Sequence, residues 1–129
     1  MGQSYKVILD SNFLMLPFQF KTDIFAELDR ILDVDYKIFV TRSVINELKK
    51  LAKSKGKERM IAKAAIKLAD RFEVIEDEGE TDNSLYALSS PTTIICTNDK
   101  NLKEKIRKKG SPVIYLRQGK YLVLEGQLV

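Results

Sequence analysis

Two short runs set the tightest limit on the fold. YKVIL at residues 5–9 and TTIIC at residues 92–96 carry apolar or β-branched residues at successive positions, Lys6 aside. Successive strand residues point to opposite faces, so a strand with no polar side belongs to a sheet covered on both faces. Each run also ends on acid. Asp10 follows the first directly, and Asp99 follows the second after Thr97 and Asn98. A carboxylate at the end of a buried strand has two ordinary explanations: a helix cap, or a cation ligand at the rim of the sheet.

The rest of the chain alternates in type. Helical spacing is expected over Asp23–Leu32, Arg42–Ser54 (after a Thr41 cap), Glu58–Arg71, Asp82–Leu88 (after a Thr81 cap) and Asn98 or Asp99 to Lys109. Further strands are expected at Tyr36–Val40, Phe72–Ile75, Pro112–Leu116 and Tyr121–Leu124, the last two joined by a Gln118-Gly119 turn. Strand–helix alternation predicts a single α/β domain over residues 1–129, a three-layer α/β/α sandwich around a mostly parallel sheet. Such sheets carry their sites beyond the carboxyl ends of the strands.

Composition removes many chemistries. Hydrophobic residues make up 44% of the 129, enough for one core. No apolar window reaches the roughly 20 residues a membrane helix needs, and no signal-peptide pattern opens the chain, so an intracellular, cytoplasmic protein is expected. There is no histidine and one cysteine, Cys96, inside an apolar run. Ser-His and Cys-His pairs, internal disulfides and ordinary zinc sites are excluded. Any catalysis rests on carboxylates, hydroxyls, lysines or a hard cation.

Charge is uneven along the chain. The net charge is +4, yet residues 42–71 hold ten Lys/Arg against three acids, a local +7, and residues 73–82 hold six acids and no base. A basic flank beside an acidic patch suits a protein that attracts phosphate on one face and cations on another; a solvated helical surface reads equally well.

Four acids stand out. Asp10 and Asp99 lie at strand ends. Glu47 borders the apolar stripe of Val44, Leu48 and Leu51, and Asp82 opens a helix after the acidic loop. Each has a plain alternative. The three aspartates can cap or favour helix starts, and Glu47 can pair with Lys50. Their joint interest is that the fold gathers strand ends.

In order, VILDSNFLM, VINELKKL, ETDNSLYAL and CTNDKNLKEKIRKKG resemble the motifs of PIN-domain nucleases. The last, followed by PVIYL, is similar to the PIN nucleases of small-subunit rRNA processing and their archaeal relatives. The resemblance implies an acidic metal site of Asp10, Glu47, Asp82 and Asp99, with Ser11, Asn12 and Thr97 as supporting groups. Asn101 stands where some relatives carry a further acid, and the cysteine-rich zinc module of some rRNA-processing members is missing from the sequence. A phosphatase with a second Asp two residues after the first is disfavoured by Asn12, and no P-loop is present.

Oxygen-only ligands select hard cations, so Mg²⁺ or Mn²⁺ is expected. The expected reaction is hydrolysis of single-stranded or unpaired RNA, and the resemblance implies that it leaves a 5′-phosphate. Lys49, Lys53, Lys55, Lys57, Arg59, Lys100 and Lys103 are the candidate phosphate contacts. Phe18, Phe20 and Tyr36 can stack on bases or serve the core or a subunit contact, and Phe13–Phe20 with its internal Pro17 could support a homodimer. Partners expected are RNA and ribosome-assembly proteins, with no membrane. A toxin ribonuclease and a non-catalytic RNA-binding scaffold are the alternatives.

Overall fold

In the structure, a computed structural model, residues 4–128 are described. The order of elements is β1 (Tyr5–Leu9), α1 (Ser11–Phe20), α2 (Ile24–Ile31), β2 (Tyr36–Thr41), α3 (Arg42–Leu51), α4 (Gly56–Ala69), β3 (Glu73–Ile75), α5 (Thr81–Leu88), β4 (Thr93–Cys96), α6 (Lys100–Lys108), β5 (Val113–Arg117) and β6 (Tyr121–Glu125). The strands form one sheet in the order β3-β2-β1-β4-β5-β6. All neighbours pair in parallel except β5 and β6. The expected mostly parallel α/β sheet is what the chain forms.

The burial of β1 and β4 explains their composition. Val7, Ile8 and Leu9 are fully buried, as are Ile94, Ile95 and Cys96. Alternating side chains point to opposite faces, so both faces of the central strands are covered. Cys96 is part of this core, and burial pushes its thiol pKa up. It acts as a small hydrophobe rather than a nucleophile.

Chain order builds the sheet outward from β1 through β2 to β3, then returns to the other side of β1 with β4. Two adjacent parallel strands whose connections leave in opposite directions open a crevice at their carboxyl ends. Asp10 and Thr97 are the residues immediately beyond those ends.

One helix was not legible in the sequence. Ser11–Phe20 is α1, although Pro17 inside it removes an N–H donor and argues against helix. Its apolar residues have a mostly internal use. Phe13, Leu14 and Leu16 are buried in the core, which leaves Phe18 and Phe20 exposed at the end. Tyr36 is likewise committed, since its hydroxyl bonds to Asp29.

Helix ends also moved. α3 stops at Leu51 rather than Ser54, where the Ser54 hydroxyl donates to the Leu51 carbonyl at 2.6 Å. α4 buries Ala62, Ala65 and Ala69, with Ile61 and Leu68 half-buried. Small residues on that face let α4 pack closely on α1 and α3. The hairpin turn expected at Gln118-Gly119 forms with positive φ at both residues. Positive φ favours glycine at 119, where a Cβ would also stand 2.8 Å from the exposed Phe20 ring.

α2 covers the β6 edge. Glu27 accepts the Leu122 N–H at 2.9 Å, and Arg30 donates to the Leu122 carbonyl at 3.2 Å. Arg30 also donates two bonds of 2.9 Å to Glu27, and these first, then the Leu122 N–H, hold the Glu27 carboxyl down to about 2.

Candidate active site

Asp10 is the centre of the rim. It follows β1 with extended backbone and caps α1, accepting the Ser11 N–H at 2.7 Å. Capping does not exhaust it. Its other oxygen accepts the Thr97 hydroxyl at 2.7 Å and the Asn12 amide at 3.1 Å. Only 2% of Asp10 is exposed. Burial raises its pKa most; the Thr97 and Ser11 bonds oppose that, and the charges of Glu47 and Asp82 add to it, leaving it at about 6.

Thr97, fully buried, ties the two strand ends together. Besides donating to Asp10, its oxygen accepts the Asp99 N–H at 3.1 Å. Asn12 bridges the same gap by accepting the Asn98 N–H at 3.0 Å. Asn98 in turn pairs like a strand residue with Leu116, accepting its N–H at 2.8 Å and donating to its carbonyl at 3.2 Å. The segment after β4 is thus fixed by side chains on both flanks.

The other three acids approach from separate elements. Glu47 is half-buried on α3, and the Ser11 hydroxyl donates to it. No salt bridge joins it to Lys50 among the described residues. Asp99 caps α6 by accepting the Leu102 N–H at 3.1 Å. Asp82 is exposed in the first turn of α5. Its pKa is raised by partial burial, then by the charges of Asp99 and Glu47.

The four carboxylates therefore share one rim and one electrostatic field. As placed, however, no three acidic side chains among the described residues make a group that could hold a metal ion. The reason is local. Asp10 and Asp99 spend an oxygen on helix starts, and Glu47 is turned to Ser11. The donor set itself, hard oxygens in mutual repulsion around a buried carboxylate, is chemically suited to Mg²⁺ or Mn²⁺.

The acidic loop before α5 has a role the sequence did not suggest. Asp77 accepts the Ser43 N–H at 2.8 Å and the Ser43 hydroxyl at 2.6 Å, and the Ser84 hydroxyl bonds to it. It pins the loop to the starts of α3 and α5, where backbone N–H groups favour an anion. Burial works against its charge, but these bonds prevail and lower its pKa. Arg42 holds Glu76 beside it through two bonds of 3.0 Å. The signal available in sequence was a serine just inside each helix start.

The predicted phosphate contacts are spread more widely. Lys49, Lys53, Lys55, Lys57 and Arg59 are exposed, and Lys57 lines a concavity with Met15, Gln19 and Leu51 at the far end of α1. Lys103 lies over the Tyr115 ring at 3.8 Å, and Lys100 shares its concavity. The lysines that share concavities with the acids are Lys50, beside Glu47, and Lys105 and Lys108, beside Asp82.

Comparison with known proteins agrees with this geometry. A family model described as a PIN like domain matches residues 7–119. The chain is 39% identical over 129 residues to Ribonuclease VapC9 of Archaeoglobus fulgidus, covering 96% of this chain and 94% of that protein. It is 32% identical over 130 residues to Ribonuclease VapC4 of Methanocaldococcus jannaschii, covering 96% and 99%. Among solved structures, that of the PIN domain endonuclease Utp24 superimposes with a TM-score of 0.75 at 27% identity, covering 96% of this chain and 93% of that one.

Proposed function

This chain belongs to the PIN-like domain family, and from that premise we propose that it is a metal-dependent endoribonuclease acting on single-stranded or unpaired RNA. The observation that carries the reading is Asp10: a buried carboxylate at the crevice between β1 and β4, under the charges of Glu47 and Asp82. A capping aspartate has no need of burial or of like charges around it.

Asp10, with Glu47, Asp82 and Asp99, would hold Mg²⁺ or Mn²⁺. Such an ion supplies Lewis acidity towards a phosphoryl oxygen and a more acidic bound water. The chain's own part is positioning. Thr97 and Asn12 fix the second oxygen of Asp10, and Ser11 fixes its first oxygen and Glu47 together. Reaction by in-line displacement forms a bond from water oxygen to phosphorus and breaks the bond to the 3′ oxygen, leaving a 5′-phosphate. Lys49, Lys53, Lys55, Lys57, Arg59, Lys100 and Lys103 contribute sequence-blind attraction along the rest of the strand.

The resemblance of CTNDKNLKEKIRKKG and the following PVIYL to the PIN nucleases of small-subunit rRNA processing supports a role in rRNA processing or ribosome assembly. The identity to two VapC ribonucleases favours a second setting, a ribonuclease controlled by a cognate inhibitor protein. Growth arrest on expression in a heterologous host, relieved by Asp10→Asn, favours the second. A complete acid set argues against a non-catalytic scaffold. The deciding experiment titrates Mn²⁺ or Mg²⁺ against a labelled unpaired RNA. Ion-dependent internal cuts that vanish in Asp10→Asn are expected. Ion-independent cutting, or cutting that survives the substitution, would overturn the assignment.

A further inference from the structure

We infer that the groove between α5 and α6 seats one unpaired nucleotide next to the reacting phosphate, with Tyr86 stacking on its base and Lys105 and Lys108 holding its phosphates. The inference rests on the proposed nuclease function.

The groove encloses about 350 Å³, within the range of small-ligand sites. Asp82 lines it and also lines the separate acidic concavity that contains Glu47. A strand passing the carboxylates therefore runs directly into it. Its walls follow helical periodicity. Asn101, Lys105 and Lys108 fall at i, i+4 and i+7 on α6, and Asn83 and Tyr86 at i and i+3 on α5.

Two features suit this groove to a strand of RNA. Lys105 and Lys108 form no salt bridge among the described residues, although Lys105 acts electrostatically on Asp82. Unpaired ammonium groups beside an acidic site are placed to counter a phosphate backbone that the acids would repel.

The second feature is Tyr86, 40% exposed and lining the groove. The Lys109 ammonium lies 4.6 Å from the centre of its ring. That ammonium is itself anchored by the carbonyls of Tyr86 at 2.7 Å and Ser89 at 2.8 Å and by the Ser89 hydroxyl at 3.1 Å. The ring is thus braced by a fixed cation, so stacking a base on it costs little further ordering. Asn83 and Asn101 stand at the walls with donors and acceptors for a base edge.

The test uses the full chain carrying Asp10→Asn, which blocks cleavage, and a short 5′-fluorescein oligo-adenylate read by anisotropy. Adding Tyr86→Ala should weaken binding roughly ten-fold, and Tyr86→Phe should restore it, because stacking needs the ring alone. Lys105→Gln with Lys108→Gln should weaken binding and lower the salt slope by about 0.7 per lysine. In the cleaving parent the same changes should raise KM more than they lower kcat. Poly-glutamate should compete poorly. If it competes as well as RNA and regardless of Tyr86, the groove is a site for acidic protein segments and the inference falls.

Binding and KM within about two-fold of the parent for both the Tyr86→Ala and the paired lysine variants would also overturn it. The lysine pair keeps the test open should Tyr86→Ala fold poorly. The two readings fail separately. A parent that cleaves RNA with groove variants unchanged removes the groove alone. A parent that never cleaves but binds RNA in a Tyr86-dependent way removes the nuclease alone.

Discussion

The Thr97 hydroxyl donates to Asp10 across 2.7 Å, joining the ends of two strands that are 87 residues apart in the chain. The bond is what lowers the Asp10 pKa most against the burial that raises it. Thr97→Val keeps the shape and removes the donor. The expected result is a stability loss of about 1–3 kcal/mol, because a buried acceptor loses its partner. The acid limb of the cleavage profile should also move to higher pH, since Asp10 becomes harder to ionise. A pH–rate series on both proteins checks it.

The raised pKa of Asp10 makes stability depend on pH in a stated direction. Folding raises it from 3.8 to about 6, so the folded chain binds this proton more tightly than the unfolded one. The favourable contribution is complete below pH 3.8 and disappears as pH rises from there to about 6. Above that window the buried charge costs up to about 3 kcal/mol. With chelator present, Asp10→Asn should therefore gain on wild type across this interval and stay ahead at neutral pH. Thermal melts at several pH values would show it. A large, pH-independent loss in Asp10→Asn would mean that the residue is only a cap.

Mg²⁺ or Mn²⁺ should raise the melting temperature of wild type more than that of Asp10→Asn. An ion that binds only the folded chain stabilises it by about 2.7 kcal/mol at a hundred times its Kd. Equal shifts in the two proteins would remove the shared ion site.

Asp77→Ala frees the loop that precedes Asp82. The Ser43 N–H and hydroxyl lose their acceptor, as does Ser84. A loss of about 1–2 kcal/mol is expected, with a drop in cleavage that Ser43→Ala reproduces in part. Denaturant melts and single-turnover rates measure the two effects.

Lys53→Gln with Lys57→Gln tests the basic run around the Gly56 turn. Both side chains are exposed, so stability should change little. RNA affinity should fall evenly across sequences, with the salt slope reduced by about 0.7 per lysine.

Most of the architecture could be read from residue patterns. The apolar runs at 5–9 and 92–96 required a sheet covered on both faces, and the alternating periods placed every strand within a residue or two. Helix α1 escaped because Pro17 breaks the local rule. Burial of Phe13, Leu14 and Leu16 outweighs the lost hydrogen bond, and that burial exists only once the sheet is built.

The same division runs through the rim. Asp10, Asp82 and Asp99 stand out in the sequence from where strands end and helices begin, and Glu47 from the edge of an apolar stripe, because backbone period and capping chemistry are local properties. Which acid is buried, that Ser11 reaches Glu47, and that Asp77 and Tyr86 flank the rim depended on how the helices pack over the assembled sheet. Distances between side chains on different elements follow from packing, and no periodicity along a chain encodes them.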